Sequence, residues 1–249
     1  MKYQKILTAL FLSAAIPASF AAEITVSAAA SLSDAFKDIA AQYEKQYPDA
    51  KVKLNTAASG VLLQQAAKGA PVDVLAFADQ KTMDMAAQQD LIVPASHKNF
   101  ALNTLVVVAP IDSKLSVKSL KDLQQPDIKR IASGNPDSVP AGRYAQNAME
   151  KAGVWAQISP KIVRTQNVRQ SLDYVARSEV EAGFVYNTDA KLQKDKVKVL
   201  WTVPLAQPVT YPIAVAKDSR SQVEAKRFAD YVLSGKGQQV LQRYGFSKP

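Results

Sequence analysis

From Ala22 onward the chain alternates short β-like runs with helical ones, and no other feature restricts its fold as strongly. Ile24 to Ala28 reads as a strand, after which Leu32, Ala35, Phe36, Ile39, Ala40 and Tyr43 recur along one helical face. Val52 to Thr56 and Val72 to Phe77 read as further strands, and Leu62 to Ala67 and Thr82 to Gln89 as helices. Repeated β–α–β–α order buries its apolar residues in a mostly parallel sheet with helices on both faces. At Asn103 to Pro110 the pattern changes: Leu105-Val106-Val107-Val108 is a continuous apolar run, as in a strand buried on both sides. The alternation then restarts, with strands at Ile128 to Ala132, Ile162 to Arg164, Ala182 to Tyr186 and Val197 to Trp201, and helices from Ala141 and Val168. Tyr211 to Ala216 is another apolar strand, and Gln222 to Tyr244 is helical.

This order predicts an α/β protein of two lobes, each a mostly parallel sheet flanked by helices, with the chain crossing between them near 100–105 and 208–213. The first lobe is then discontinuous, with residues 22–101 and 212–249, and the second takes 102–211. No internal repeat or low-complexity segment complicates the division.

Residues 1–21 stand apart. Lys2 and Lys5 precede an almost wholly apolar stretch from Ile6 to Ile16, Pro17 ends it, and Ser19-Phe20-Ala21 follows. This is the pattern of a secretory signal peptide, with cleavage expected after Ala21, and is shorter than the ~20 apolar residues of a spanning helix. The chain contains no cysteine, which removes disulfides, thiolate metal sites, cysteine nucleophiles and a lipid-bearing cysteine. An exported chain without an anchor is retained only by an outer membrane, so the expected location is the periplasm. The formal charge of +9, or +7 without Lys2 and Lys5, is scattered among acids rather than drawn into a basic stripe. That argues against nucleic acid and for a mild bias toward anionic ligands.

In open α/β sheets, ligands bind beyond the carboxyl ends of the strands, where the unpaired N–H groups of helix N-termini favour anions. Ala28-Ala29-Ala30-Ser31-Leu32-Ser33-Asp34 is one such junction: small residues end the strand, Ser31 is the expected N-cap, and Asp34 has capping-box spacing. Thr56-Ala57-Ala58-Ser59-Gly60 repeats the plan, with Gly60 keeping the backbone accessible. Val139-Pro140-Ala141-Gly142 opens a helix with proline in its first turn, leaving the Ala141 N–H free. Asn167-Val168-Arg169 opens another, with Asn167 as cap and the Val168 N–H exposed, and Tyr186 ends a strand. Each junction alone also reads as an ordinary cap, and Tyr186 as core. Arg143 and Arg169, just inside two helix starts, read as solvated side chains or sources of long-range attraction.

Taken in order, these stretches resemble the periplasmic molybdate-binding proteins of ABC transporters, within the type II solute-binding fold. The resemblance rests on Ala28-Ala29-Ala30-Ser31-Leu32, Ala58-Ser59, Gly69-Ala70-Pro71-Val72-Asp73, Ala78-Asp79-Gln80, Val106-Val107-Val108-Ala109-Pro110, Val139-Pro140-Ala141-Gly142, Val168-Arg169, Val185-Tyr186 and Arg243-Tyr244-Gly245-Phe246. It implies Ser31, Ser59 and Tyr186 as hydroxyl donors to the oxyanion and the amides at Ala141 and Val168 as further donors, assisted by the amides of the serine junctions. The second loop, Ala58-Ser59-Gly60, departs from a serine-rich loop of the family, though Ser59 falls on the ligand position. The resemblance further implies molybdate or tungstate as ligand, held as an oxyanion with no direct protein–metal bond, no cofactor, and an inner-membrane permease as partner of a monomer.

Every one of these groups donates and none is a carboxylate. Molybdate is an unprotonated dianion at neutral pH, whereas phosphate keeps a proton that such a cage leaves unpaired, costing ~1–3 kcal/mol. Sulfate is likewise unprotonated, so another tetrahedral oxyanion such as sulfate is the nearer alternative ligand, excluded only by cage size. A serine-dependent hydrolase is the alternative of another class. It needs a base beside Ser31 or Ser59, but the single histidine, His97, lies in the polar stretch Pro94-Ala95-Ser96-His97-Lys98, which reads as a surface loop. Neither serine sits in a Gly-x-Ser-x-Gly elbow, and without cysteine or a second histidine a catalytic metal site lacks ligands.

Overall fold

A computed structural model describes residues 22–249; the signal-peptide reading falls on residues 1–21 and lies outside them. The elements in chain order are β1 (Ala22–Ala29), α1 (Ser33–Gln46), β2 (Ala50–Ala57), α2 (Ser59–Ala67), β3 (Val74–Ala76), α3 (Gln80–Gln88) and β4 (Lys98–Asn103). There follow β5 (Leu105–Pro110), β6 (Ile131–Gly134), α4 (Pro140–Lys151), α5 (Trp155–Ile158), β7 (Ile162–Thr165), α6 (Val168–Ala176), β8 (Ala182–Tyr186), α7 (Asn187–Leu192) and β9 (Val197–Thr202). The chain ends with β10 (Val209–Val215), α8 (Gln222–Leu233) and α9 (Gly235–Arg243).

The strands form two five-stranded sheets, ordered β2-β1-β3-β10-β4 and β7-β6-β8-β5-β9. In the first, β1 runs parallel to β2 and β3, and β10 is antiparallel to both β3 and β4. In the second, β6 runs parallel to β7 and β8, and β5 is antiparallel to β8 and β9. Each sheet is thus mostly co-directional with one reversed strand, and each reversed strand follows a change of sheet. The chain changes sheet between Asn103 and Leu105, and again between Thr202 and Val209. Antiparallel pairing of β4 with β10 extends the first sheet through Asn103 and Val209.

Burial follows the sequence pattern. Phe36, Ile39 and Tyr43 of α1 are wholly buried, and Phe36 and Tyr43 meet Phe228 of α8 at ring-centroid distances of 6.3 and 5.2 Å. On the other face of the same sheet, Leu62 and Leu63 pack with Leu75, Phe77, Met83 and Ile92. All of β5 is buried, as its apolar run requires. The C-terminal helical stretch is two helices rather than one. Ser234 takes an extended backbone between them, and its side chain accepts the Gly237 N–H at the start of α9.

Candidate functional site

The strand-to-helix junctions of both sheets meet in one place. Ser31 lies in a 3-10 turn, Ala30–Leu32, that precedes α1, and is buried. Its hydroxyl caps neither the turn nor α1; instead Ser31 Oγ is 3.0 Å from Tyr211 Oη on β10. This corrects the capping-box expectation. The extra turn sets Ser31 ahead of the helix, and Asp34, the supposed box partner, bonds Arg169. Ser59 opens α2, is fully buried, and accepts the Ala78 N–H at 3.0 Å. A hydroxyl whose oxygen already accepts a bond keeps its proton to donate.

The second sheet supplies the other wall. Val139 is extended and Pro140 begins α4, so the Ala141 amide belongs to a first turn with no intrahelical acceptor. Asn167 caps α6 as expected, its Oδ1 accepting the Gln170 N–H at 3.0 Å, and Val168 is the first helical residue. Tyr186 closes β8 and is 1% exposed, and its hydroxyl, buried too, has no hydrogen-bond partner among the described residues. Burial holds this phenol well above its ordinary value of 10.0, with the nearby Tyr211, Tyr144 and Asp79 adding to the effect. It therefore stays a protonated donor.

Ser31, Ser59, Ala141, Val168 and Tyr186 all line a single small cavity, together with Ala29, Ala30, Ala58, Ala78, Val139 and Pro140. Among the described residues no carboxylate, lysine or arginine lines it. The remaining surface is small and apolar, so it excludes water without competing for a ligand's oxygens. Such a cavity offers donors to an acceptor-only guest and no carboxylate to take a proton from it.

Just outside, two arginines tie the halves together. Arg143 of α4 donates to Asp79 Oδ2 through Nε at 3.0 Å and Nη2 at 2.7 Å, and to Thr82 Oγ1 at 2.7 Å. Arg169 of α6 donates to Asp189 at 2.6 Å and across to Asp34 at 2.7 Å. Burial disfavours the Arg169 charge, but the carboxylates of Asp189 and Asp34 more than offset it and its pKa is raised. From sequence both arginines read as solvated side chains or as sources of long-range attraction; both are partly buried and paired with acids distant in the chain, not solvated. The Gly60 N–H also donates to Ser138 O of the other lobe at 2.9 Å. A Cβ at Gly60 would stand 2.8 Å from Ser138 Cα and O, so absence of a side chain there permits the approach.

Two participants escaped the sequence reading. Tyr211 and Asn103 are buried behind Ser31, with Asn103 Nδ2 3.3 Å from Tyr211 Oη. The available signal was a hydroxyl inside an otherwise apolar strand, which a core tyrosine also produces.

Two α/β lobes linked by two crossings, with a small donor-lined cavity between them, define a solute-binding protein of the type II fold. The match to known proteins agrees: the profile of the family described as "Bacterial extracellular solute-binding protein" covers residues 24–247, and the chain belongs to that family. It is 39% identical over 236 residues to the molybdate-binding protein ModA of Escherichia coli (strain K12), spanning 90% of this chain and 89% of that one. It is 35% identical over 258 residues to the molybdate-binding protein ModA of Haemophilus influenzae, spanning 99% and 98% of the two chains. The solved periplasmic molybdate-binding protein of Azotobacter vinelandii superposes with a TM-score of 0.80 at 23% identity, covering 91% of this chain and 99% of that one, a likeness of fold.

Proposed function

We propose that this protein captures molybdate, and tungstate with it, between its two lobes and delivers the anion to an ABC transporter permease. One observation carries the reading: Ser31, Ser59, Ala141, Val168 and Tyr186, drawn from five separate junctions, line one cavity without a carboxylate among them. In this assignment the three hydroxyls and the amides of Ala141 and Val168 donate to the four oxygens of the dianion. Charge-assisted bonds of this kind are about twice as strong as neutral ones. The names of the relatives support molybdate over sulfate, a choice that donor chemistry alone leaves open.

The protein acts as a carrier rather than an enzyme. Ser31 Oγ pairs with Tyr211 and Ser59 Oγ with the Ala78 N–H, while His97 Nε2 contacts Gln80 at 2.8 Å; among the described residues, neither serine has a base. We place the protein in the periplasm as a monomer, with residues 22–101 and 212–249 moving as one lobe against 102–211. Among the described residues no helix is long and apolar enough to cross a membrane.

A melting series tests the function. At one hundred times its dissociation constant a ligand adds ~2.7 kcal/mol, about 5–10 °C for a domain of this size. Molybdate and tungstate are expected to raise the melting temperature by that amount and phosphate to leave it unchanged. A shift with sulfate equal to that with molybdate would overturn the assignment of the ligand.

A further inference from the structure

The Ser31 hydroxyl can donate to an anion only if something else supplies the hydrogen bond to its oxygen, and the groups behind it fix that polarity. Asn103 Oδ1 accepts the Thr104 N–H at 2.9 Å, which sets the orientation of the amide. Its Nδ2 group therefore faces Thr188 Oγ1 at 2.8 Å and Tyr211 Oη at 3.3 Å. An amide NH2 only donates, so Tyr211 is the acceptor in that contact. The phenol proton then needs an acceptor of its own, since Tyr211 is fully buried and an unmatched buried donor is costly. Among the described residues the partner left to it is Ser31 Oγ, at 3.0 Å. With Tyr211 donating to Ser31, the serine proton has one direction left, into the cavity.

We propose that Asn103 and Tyr211 form a one-way hydrogen-bond relay that commits Ser31 to the donor role and so removes it as an acceptor for oxyanions that carry a proton. Tyr211 is a positioning residue, acting on the anion only through Ser31. The relay rests on the proposed function and deepens it: without it, the Ser31 hydroxyl is free to turn and accept the P–OH proton of hydrogen phosphate. At Ser59 the Ala78 N–H imposes the same polarity from the backbone, where mutation cannot easily reach it; at Ser31 it depends on two side chains.

The test is a double-mutant cycle by titration calorimetry at pH 7.5 on the wild-type chain, Tyr211→Phe, Ser31→Ala and the double variant, with sodium molybdate and inorganic phosphate as titrants. Tyr211→Phe keeps the ring and adds no volume, and melting curves check that each variant folds. In the wild-type background Tyr211→Phe is expected to weaken molybdate binding roughly threefold to tenfold, the worth of one hydrogen bond, and to narrow the preference over phosphate. In the Ser31→Ala background the same substitution is expected to have no effect on either. An equal loss in both backgrounds would mean that Tyr211 acts through packing, and no loss in either would remove its role; both overturn the relay while leaving the function standing. A wild-type chain that takes up no molybdate overturns the function, and the relay with it.

Discussion

Arg143 Nη2, near the start of α4, lies 2.7 Å from Asp79 Oδ2 at the N-cap of α3, joining the second lobe to the first beside the cavity. The contact can exist only with the lobes together, so its free energy enters ligand binding rather than the folding of either lobe. Asp79→Asn keeps a residue able to cap α3 but leaves Arg143 without its counter-charge. A hydrogen bond to a charged group contributes ~1.5–3 kcal/mol, so the variant should bind molybdate about tenfold to a hundredfold more weakly. The melting temperature of the ligand-free protein should hardly move. Calorimetry and melting on the same samples check both halves; unchanged affinity would show that the bridge plays no part in closure.

Gly60 provides a second, independent probe of closure. It sits in the first turn of α2, where alanine is acceptable and often stabilising, yet a Cβ would stand 2.8 Å from the Ser138 backbone of the opposite lobe. Gly60→Ala should therefore leave ligand-free stability the same or slightly higher while weakening molybdate binding at least tenfold. Solution scattering should show this variant failing to contract on adding ligand, where the wild type does. A Gly60→Ala chain that binds as tightly as the wild type would mean the lobes never come this close.

Tyr186→Phe removes the one buried hydroxyl in the cavity that has no partner among the described residues. Nothing in the folded protein loses a hydrogen bond, so stability should hold or rise slightly. The ligand loses a charge-assisted bond worth ~1.5–3 kcal/mol, and affinity should fall about tenfold to a hundredfold in a titration. Loss of stability with intact affinity would reverse the roles assigned here.

The pH response follows from the same tyrosines. Burial raises Tyr186 and Tyr211 well above their ordinary 10.0, so the folded chain keeps protons that the unfolded chain releases as pH rises past 10. Their contribution to stability is complete below pH 10 and declines above it, by ~1.4 kcal/mol per pH unit for each such group. Molybdate affinity should be flat between pH 7 and 9.5, since neither the dianion nor its donors titrate there. Denaturation midpoints taken on both sides of pH 10, and titrations between pH 7 and 9.5, check the two statements; an affinity falling steadily from pH 7.5 would point to a titrating group in the cavity.

The parts of this site that could be read from sequence are those with local signatures. Ser31 and Ser59 each follow small residues at the end of a strand and precede a helical face, and Asn167 is an N-cap by composition alone. The parts that could not be read are those made by distance. Arg143 meets Asp79 across 64 residues and Arg169 meets Asp34 across 135, and nothing in either arginine's neighbourhood distinguishes an ion pair from a solvated side chain. Tyr211 lies 180 residues from Ser31, within a strand whose other residues are mostly core. The cap assigned to Ser31 failed for a related reason: Ser followed three residues later by Asp fits a capping box equally well whether or not a 3-10 turn displaces the serine from the helix start.

That hydroxyls and amides from both lobes surround an unprotonated dianion can be tested most directly by crystallising the protein with molybdate and locating molybdenum by its anomalous scattering. The peak should fall in the cavity between Ser31, Ser59 and Tyr186, with ligand oxygens within hydrogen-bonding distance of these hydroxyls and of the Ala141 and Val168 amides, and with no carboxylate in contact. A peak outside that cavity, or one whose oxygens are bound by Asp, Glu, Lys or Arg side chains instead, would contradict the donor-only cage.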